Sequence, residues 1–265
     1  MKLPVYFISH GGGPWPYMPE MATAMQALKK SLVDIPLQFA ETPKAILLVT
    51  AHWEASAFTL GTNPRPGMVY DYGGFPPHTY EVVYPAPGAP ELALRVQALL
   101  TDAGLPVAFD ATRGYDHGTF VPLAVMYPKA DVPVLQMSLR NGLDPAEHIA
   151  LGRALAPLRQ EGVLIVGSGL SYHNLRAFGP QARVPSKAFD DWLQETMLAD
   201  QFTRTQQILN WTTAPAARLC HPREEHLLPL MVAMGAAESE RSACIYHEES
   251  FFGSVTASSF RIGNA

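Results

Sequence analysis

Runs of apolar, often β-branched residues at 5–9, 45–50, 132–137 and 163–166 are each closed off by Gly, Pro or polar residues, with amphipathic stretches at about 20–33, 89–103, 145–161, 186–199 and 224–234. A strand without polar alternation has no face to turn to water, so it belongs in a parallel sheet covered on both sides. Amphipathic helices recurring between such strands supply the cover. The chain is therefore read as α/β, with a mostly parallel central sheet flanked by helices. One helix is punctuated in the sequence itself: Asp144 stands as N-cap before Pro145, Glu147 lies in the first turn, and Gly162 closes the stretch. The tail, "ACIYHEESFFGSVTASSFRIG", intersperses Ile245, Phe251, Phe252, Val255 and Phe260 with polar residues, which suits antiparallel strands added at the sheet edge. Residues 61–90 carry too many prolines and glycines for a regular element and too many tyrosines for a linker; they read as a long ordered loop able to wall a pocket.

A chain of 265 residues, 48% hydrophobic and 16% charged, buries enough surface for one large unit, 1–265. A net charge of −5 without Lys/Arg clusters disfavours a nucleic-acid partner. No apolar run reaches the roughly 18 residues of a membrane span, and the N-terminal apolar run is too short for a secretory signal. Two cysteines, Cys220 and Cys244, show neither zinc-knuckle spacing nor a disulfide framework, so the expected location is the reducing cytoplasm and the expected partner a small molecule.

Three of the nine histidines share one context. His10 ends "VYFISH", His52 ends "ILLVTAH", and His173 follows "VLIVGSGLSYH". Open α/β sheets bind ligands beyond the carboxyl ends of their strands, so these three can converge although distant in sequence. "HPREEHLLPL" adds Glu224, Glu225 and His226 at the start of an amphipathic stretch, where imidazole and carboxylate can complete a metal-binding set or merely complement the helix dipole. His117, in "RGYDHGTFVPL", sits in a polar loop as a candidate substrate contact. His148 is read as facing out from a helix start, and His247 as lying in the edge-strand region. The glycines after His10 are shared with the oxyanion loops of lipase-like hydrolases, but no G-x-S-x-G elbow accompanies them, because "VGSGLSYH" places neither Ser168 nor Ser171 at that spacing. Nor is there a P-loop or a G-x-G-x-x-G after a strand.

Taken in order, "SHGGGPWP", "TAHWE", "GFPPHTYEVVYPAPGAP", "RGYDHGTFVPL", "GSGLSYHNL" and "EEHLLPL" resemble the class III extradiol ring-cleaving dioxygenases, in particular the single-chain DOPA 4,5-dioxygenase-like branch. The resemblance runs from about residue 5 to 260. It implies a three-layer α/β sandwich and a mononuclear non-haem metal site, with His10 and His52 as ligands and the third from His226, or alternatively Glu225. It implies that His173 is a ligand or the acid–base residue, and that His117 belongs to the substrate pocket. The implied reaction joins a catechol-type diol and O2, with Fe(II) for turnover and Zn(II) as a plausible occupant of purified protein, and opens the ring to a hydroxymuconic semialdehyde. Trp15 and the aromatic residues of 61–85 are available to pack the substrate ring, and Arg65, Arg113, Arg176 and Arg223 to grip a substrate carboxylate. Two other readings use the same residues: a zinc hydrolase on this scaffold, and a non-catalytic metal-binding protein.

Overall fold

The computed structural model describes residues 2–264. Its strands are β1 (Val5–Ser9), β2 (Ala45–Ala55), β3 (Phe58–Gly61), β4 (Val107–Asp110), β5 (Val134–Arg140), β6 (Val163–Gly169), β7 (Ser242–Phe251) and β8 (Val255–Ile262). They form one sheet in the order β4-β3-β5-β2-β6-β1-β8-β7. The central ladders, β5 to β2, β2 to β6 and β6 to β1, are all parallel. The tail strands close one edge as expected: β8 runs antiparallel to both β1 and β7.

The four apolar runs are the buried heart of this sheet, with every residue of β1 and β6 buried. Helices cover both faces. On β6, a Cβ at Gly167 would come within 2.2 Å of the Pro229 carbonyl and one at Gly169 within 2.1 Å of the His226 carbonyl, so only glycine admits the segment 226–229 this close. Ser168, between them, points to the opposite face by the two-residue period of a strand. There its hydroxyl donates to the carbonyl of Gly118 at 2.5 Å, in the helix His117–Met126. The register sets Ser9 beside Gly169 and Thr50 beside Ser168, so the carboxyl ends of β1 and β6 lie level with Thr50 of β2.

Several local expectations change. β2 runs on to Ala55, so His52 lies inside the strand, where the pairing with β5 slips between Val49 and Glu54. His117 opens a helix, His117–Met126, rather than sitting in a polar loop before an apolar segment; the helix is apolar on nearly every side and therefore carries no amphipathic period to read. The helix expected from 224 begins at Leu228 and all nine of its residues are buried, so Glu224 and Glu225 belong to the turn before it. His148 is wholly buried: its Nδ1 donates to the Asp144 carbonyl at 2.7 Å and its Nε2 accepts the Arg140 N–H at 3.3 Å. Residues 61–90 do form an extended loop broken only by a short turn at Pro77–Tyr80. Among the described residues no helix is long and apolar enough to cross a membrane.

Candidate metal centre

Five imidazoles meet beyond the carboxyl ends of β1 and β6, beside the last third of β2. His10 follows β1 directly, His52 stands in β2, His173 lies four residues beyond β6, His117 opens the helix His117–Met126, and His226 sits in the turn packed on Gly169. His10, His52 and His226 offer ring nitrogens within 4.8 Å of one another; so do the ligand atoms of His52, Asp71 and His117, and those of His173, Glu225 and His226.

The hydrogen bonds around these rings determine which nitrogen each keeps free. Ser168 has committed its proton to Gly118, so its oxygen accepts from His10 Nδ1 at 3.2 Å. His52 Nδ1 lies 3.3 Å from Asp71 Oδ2, and His117 Nδ1 lies 2.7 Å from Asp71 Oδ1. Glu225 Oε1 accepts from His173 Nδ1 at 2.9 Å and from His226 Nδ1 at 3.0 Å. The Nδ1 atoms of His10, His173 and His226 thus have fixed oxygens to donate to, that of His117 faces Asp71 Oδ1 and that of His52 faces Asp71 Oδ2, an arrangement that directs the Nε2 atoms of His10, His52 and His226 to one another. The Nε2 atoms of His10 and His52 then face each other at 3.2 Å. Two ligands about 2.1 Å from one divalent ion at tetrahedral to octahedral angles are separated by roughly 3.0–3.4 Å, so the pair has the spacing of two corners of a coordination shell. His226 stands beside them, its ring centre 5.3 Å from that of His10 and 4.8 Å from that of His52, and His173 stacks on it at 3.3 Å. Glu225 Oε2 is buried without a hydrogen-bond partner.

Electrostatics keep the nitrogens unprotonated. Burial, reinforced by the neighbouring imidazoles, holds His10 and His52 well below the ordinary histidine value. Burial likewise brings His226 down to about 3, against the opposing hydrogen bond to Glu225. For Glu225 burial alone would favour the neutral acid, but hydrogen bonds from His173 and His226 outweigh it and hold the group ionised. Asp71 follows the same pattern, with His117 overcoming burial. Neutral imidazoles backed by ionised carboxylates are the state in which histidine binds a divalent metal.

The centre opens into a cavity of about 910 Å³ bordered by His173, Tyr72 and Phe75 among others. Tyr72 and Phe75 come from the 61–90 loop, as expected of a pocket wall. Trp15 does not border the cavity: it is buried, and its Nε1 donates to the His10 carbonyl at 2.9 Å, bracing the end of β1 from behind. The four arginines are absent from the wall as well. Arg113 lies behind β2, bonded to the His52 carbonyl and Asp116, with its guanidinium 5.0 Å from the Trp53 ring centre. Arg223 is held by Glu54 through two bonds of 2.6 and 2.5 Å. Asp71 was not singled out by the sequence reading, because an aspartate in a turn-rich loop carries no spacing signal; the one cue was that this loop is too aromatic to be a linker.

Comparison with known proteins agrees with this geometry. Residues 5–262 match the family described as the catalytic LigB subunit of aromatic ring-opening dioxygenase. The chain is 41% identical over 248 residues to a 4,5-DOPA dioxygenase extradiol of Beta vulgaris, covering 91% of this chain and 90% of that protein. It is 33% identical over 275 residues to a protein of the same name from Escherichia coli K12, covering 99% and 95%. Among solved structures, an uncharacterized protein from Escherichia coli K12 superposes with a TM-score of 0.78 at 28% identity, over 98% of this chain and 100% of that one.

Proposed function

The chain belongs to the aromatic ring-opening dioxygenase family of the catalytic LigB subunit, and from that premise we propose how its own residues run the reaction. The protein is a non-haem, metal-dependent extradiol-type dioxygenase acting on a catechol-type substrate with O2. The proposed metal is Fe(II), held by Nε2 of His10, His52 and His226. The facing Nε2 pair of His10 and His52 at 3.2 Å carries this reading. Glu225 is then the carboxylate behind His226 rather than a ligand, since its Oε1 already serves two imidazoles. The catalytic unit is taken to span 1–265, supported by one sheet that draws β1 and β8 from opposite ends of the chain. A cytoplasmic location is supported by Cys220 and Cys244, which are both free thiols.

When bound, Fe(II) supplies open positions at which the two catechol oxygens and O2 meet, so that the ring opens beside its hydroxyls to a hydroxymuconic semialdehyde-type product. His173 presents Nε2 to the cavity with its other nitrogen anchored on Glu225, which suits it to take a catechol hydroxyl proton and later return one. A nitrogen engaged in that transfer cannot also serve as a ligand, so the acid–base role is favoured for His173. His117, anchored on the far side by Asp71, presents its Nε2 next to His52 and suits a hydrogen bond to the substrate. Tyr72 stands beside His117, ring centres 5.7 Å apart.

The test is anaerobic loading with Fe(II), addition of catechols including DOPA, and admission of air. One O2 consumed per catechol with a yellow product is expected, and His10→Ala should lose both bound iron and turnover. No oxygen uptake with any catechol would refute the assignment, and hydrolysis persisting with zinc alone and without oxygen would favour a zinc hydrolase.

A further inference from the structure

The strand that carries His52 is irregular around that residue. Val49 pairs with Met137 of β5 and Glu54 with Leu139, so residues 50–53 of β2 pass while β5 advances by Ser138 alone. The ladder from β2 to β6 ends at Thr50. Extra residues in one strand of a pair bend it and re-aim its side chains, and here the bulge presents the His52 ring to His10. Backbone groups that leave a ladder need other partners. For His52 both replacements are side chains: its N–H donates to Oγ1 of Thr50 at 3.1 Å, and its carbonyl accepts from Nη2 of Arg113 at 3.2 Å.

Asp116 stands behind both. Its Oδ1 accepts from the Thr50 hydroxyl at 2.8 Å and its Oδ2 from Arg113 Nη2 at 3.3 Å. The residue is wholly buried, and its own N–H donates to Oε1 of Gln136 in β5 at 3.1 Å, which fixes the carboxylate relative to the sheet. The Thr50 hydroxyl therefore accepts from His52 and donates to Asp116, its direction set at both ends. Nε of Arg113 is buried without a partner among the described residues, so the grip rests on Nη2, with the Trp53 ring centre 5.0 Å from the guanidinium carbon. The helix His117–Met126 closes on the same bulge: a Cβ on Gly118 would come within 2.7 Å of Thr50 Oγ1 and 2.9 Å of His52 Cδ2. Thr50, Arg113 and Asp116 do not border the cavity, so they reach the chemistry through His52 and not through the substrate.

We infer that Thr50 and Arg113 are positioning residues for the metal. Joined through Asp116, they take over the two backbone groups of His52 that the sheet gives up, and so fix where its Nε2 points. This rests on the reading of His52 as a ligand and adds what holds that ligand in place. Releasing either group lets the bulge turn, which carries the far end of the ring out of its 3.2 Å pairing with His10 Nε2.

Co(II) alone is the probe, because its visible ligand-field bands report the donor geometry without any turnover. Thr50→Val keeps the shape of the side chain and removes the hydroxyl, whereas Thr50→Ser keeps the hydroxyl. Anaerobic titration should show Co(II) bound about 10- to 100-fold more weakly by Thr50→Val, with shifted bands, and by Thr50→Ser within about threefold of the unaltered protein. Arg113→Met should weaken binding over the same range and Arg113→Lys recover part of it, since an ammonium still donates to the His52 carbonyl and Asp116 but lacks the planar fork. If Arg113→Met does not fold, the Thr50 pair decides. A folded Thr50→Val protein that binds Co(II) within twofold of the unaltered one, with unchanged bands, overturns the inference. Equal weakening by Thr50→Val and Thr50→Ser overturns it as well, because packing and not the hydroxyl would then be what matters. His52→Ala keeps this apart from the reading beneath it. If that protein retains the original affinity and bands, His52 is not a ligand; if it loses them while Thr50→Val and Arg113→Met keep them, the ligand stands and the positioning role falls.

Discussion

Replacing Asp71 by Asn tests how the site fixes the protons of its histidines. Asp71 Oδ1 accepts from both the backbone N–H and Nδ1 of His117, at 3.1 and 2.7 Å, while Oδ2 faces His52 Nδ1 at 3.3 Å. In Asp71→Asn the amide oxygen keeps the two-donor position, so the NH2 group falls opposite His52 Nδ1. Two donors cannot face each other, and His52 relieves the conflict by moving its proton to Nε2, the nitrogen directed at His10. The lone pair that would bind metal is then lost. Carboxylates behind metal-binding histidines are typically worth 10- to 100-fold in affinity, or about 1.4–2.7 kcal/mol. Anaerobic competition with a chelator should therefore show Fe(II) or Zn(II) held that much more weakly by Asp71→Asn, with the far-ultraviolet circular dichroism unchanged and Asp71→Glu recovering part of the loss. Affinity within twofold of the unaltered protein would refute this account of the tautomers.

Other perturbations separate the roles of neighbouring groups. His173→Gln should lower kcat by about 10²–10⁴-fold while metal content stays near stoichiometric, since a proton carrier and not a ligand is removed; a metal-free His173→Gln protein would reverse the assignment. Asp116 is buried against Thr50 and Arg113, and burial together with the charge of Asp71 pushes its carboxyl up to about 6 from 3.8. The folded protein keeps this proton where the unfolded chain releases it, so the contribution is present below about pH 4 and is lost as pH rises through about 6. It amounts to about 3 kcal/mol. Urea unfolding of Asp116→Asn should show a flatter stability profile across that window, and superimposable profiles would contradict the shift. Arg159 is buried far from the site, and Glu240 holds it through bonds of 2.6 and 3.0 Å. Arg159 would keep its bonds to the Leu3 and Ala236 carbonyls, so Glu240→Ala should cost about 1.5–3 kcal/mol of unfolding free energy, the worth of hydrogen bonds to a charged group, without changing kcat.

The sheet was legible because buried parallel strands leave an unbroken apolar signature: β1 was bounded correctly, and β5 and β6 were located with ends displaced by a few residues. β3 and β4, four residues each, were too short to register. The helix at 117–126 and the start of the last helix at Leu228 were missed for one reason, that an element buried on every side shows no periodicity. At the site, position after the apolar runs was enough to select His10, His52 and His173, because the register sets the ends of β1 and β6 level with Thr50, two residues before His52 within β2. Hydrogen-bond partners drawn from distant segments were not readable. The contacts of Asp71, Ser168 and Thr50 exist only once the chain has folded. The arginines illustrate the converse: a guanidinium in the sequence says nothing of whether a carboxylate of the same chain already holds it.

The most direct test of the metal centre is a crystal structure of the Fe(II)-loaded protein, grown under argon, with an anomalous map at the iron edge. The expected result is one peak roughly 2.1 Å from Nε2 of His10, His52 and His226, with Glu225 Oε1 still bridging His173 and His226. A peak bonded instead to Glu225, or placed between His52, Asp71 and His117, would contradict it.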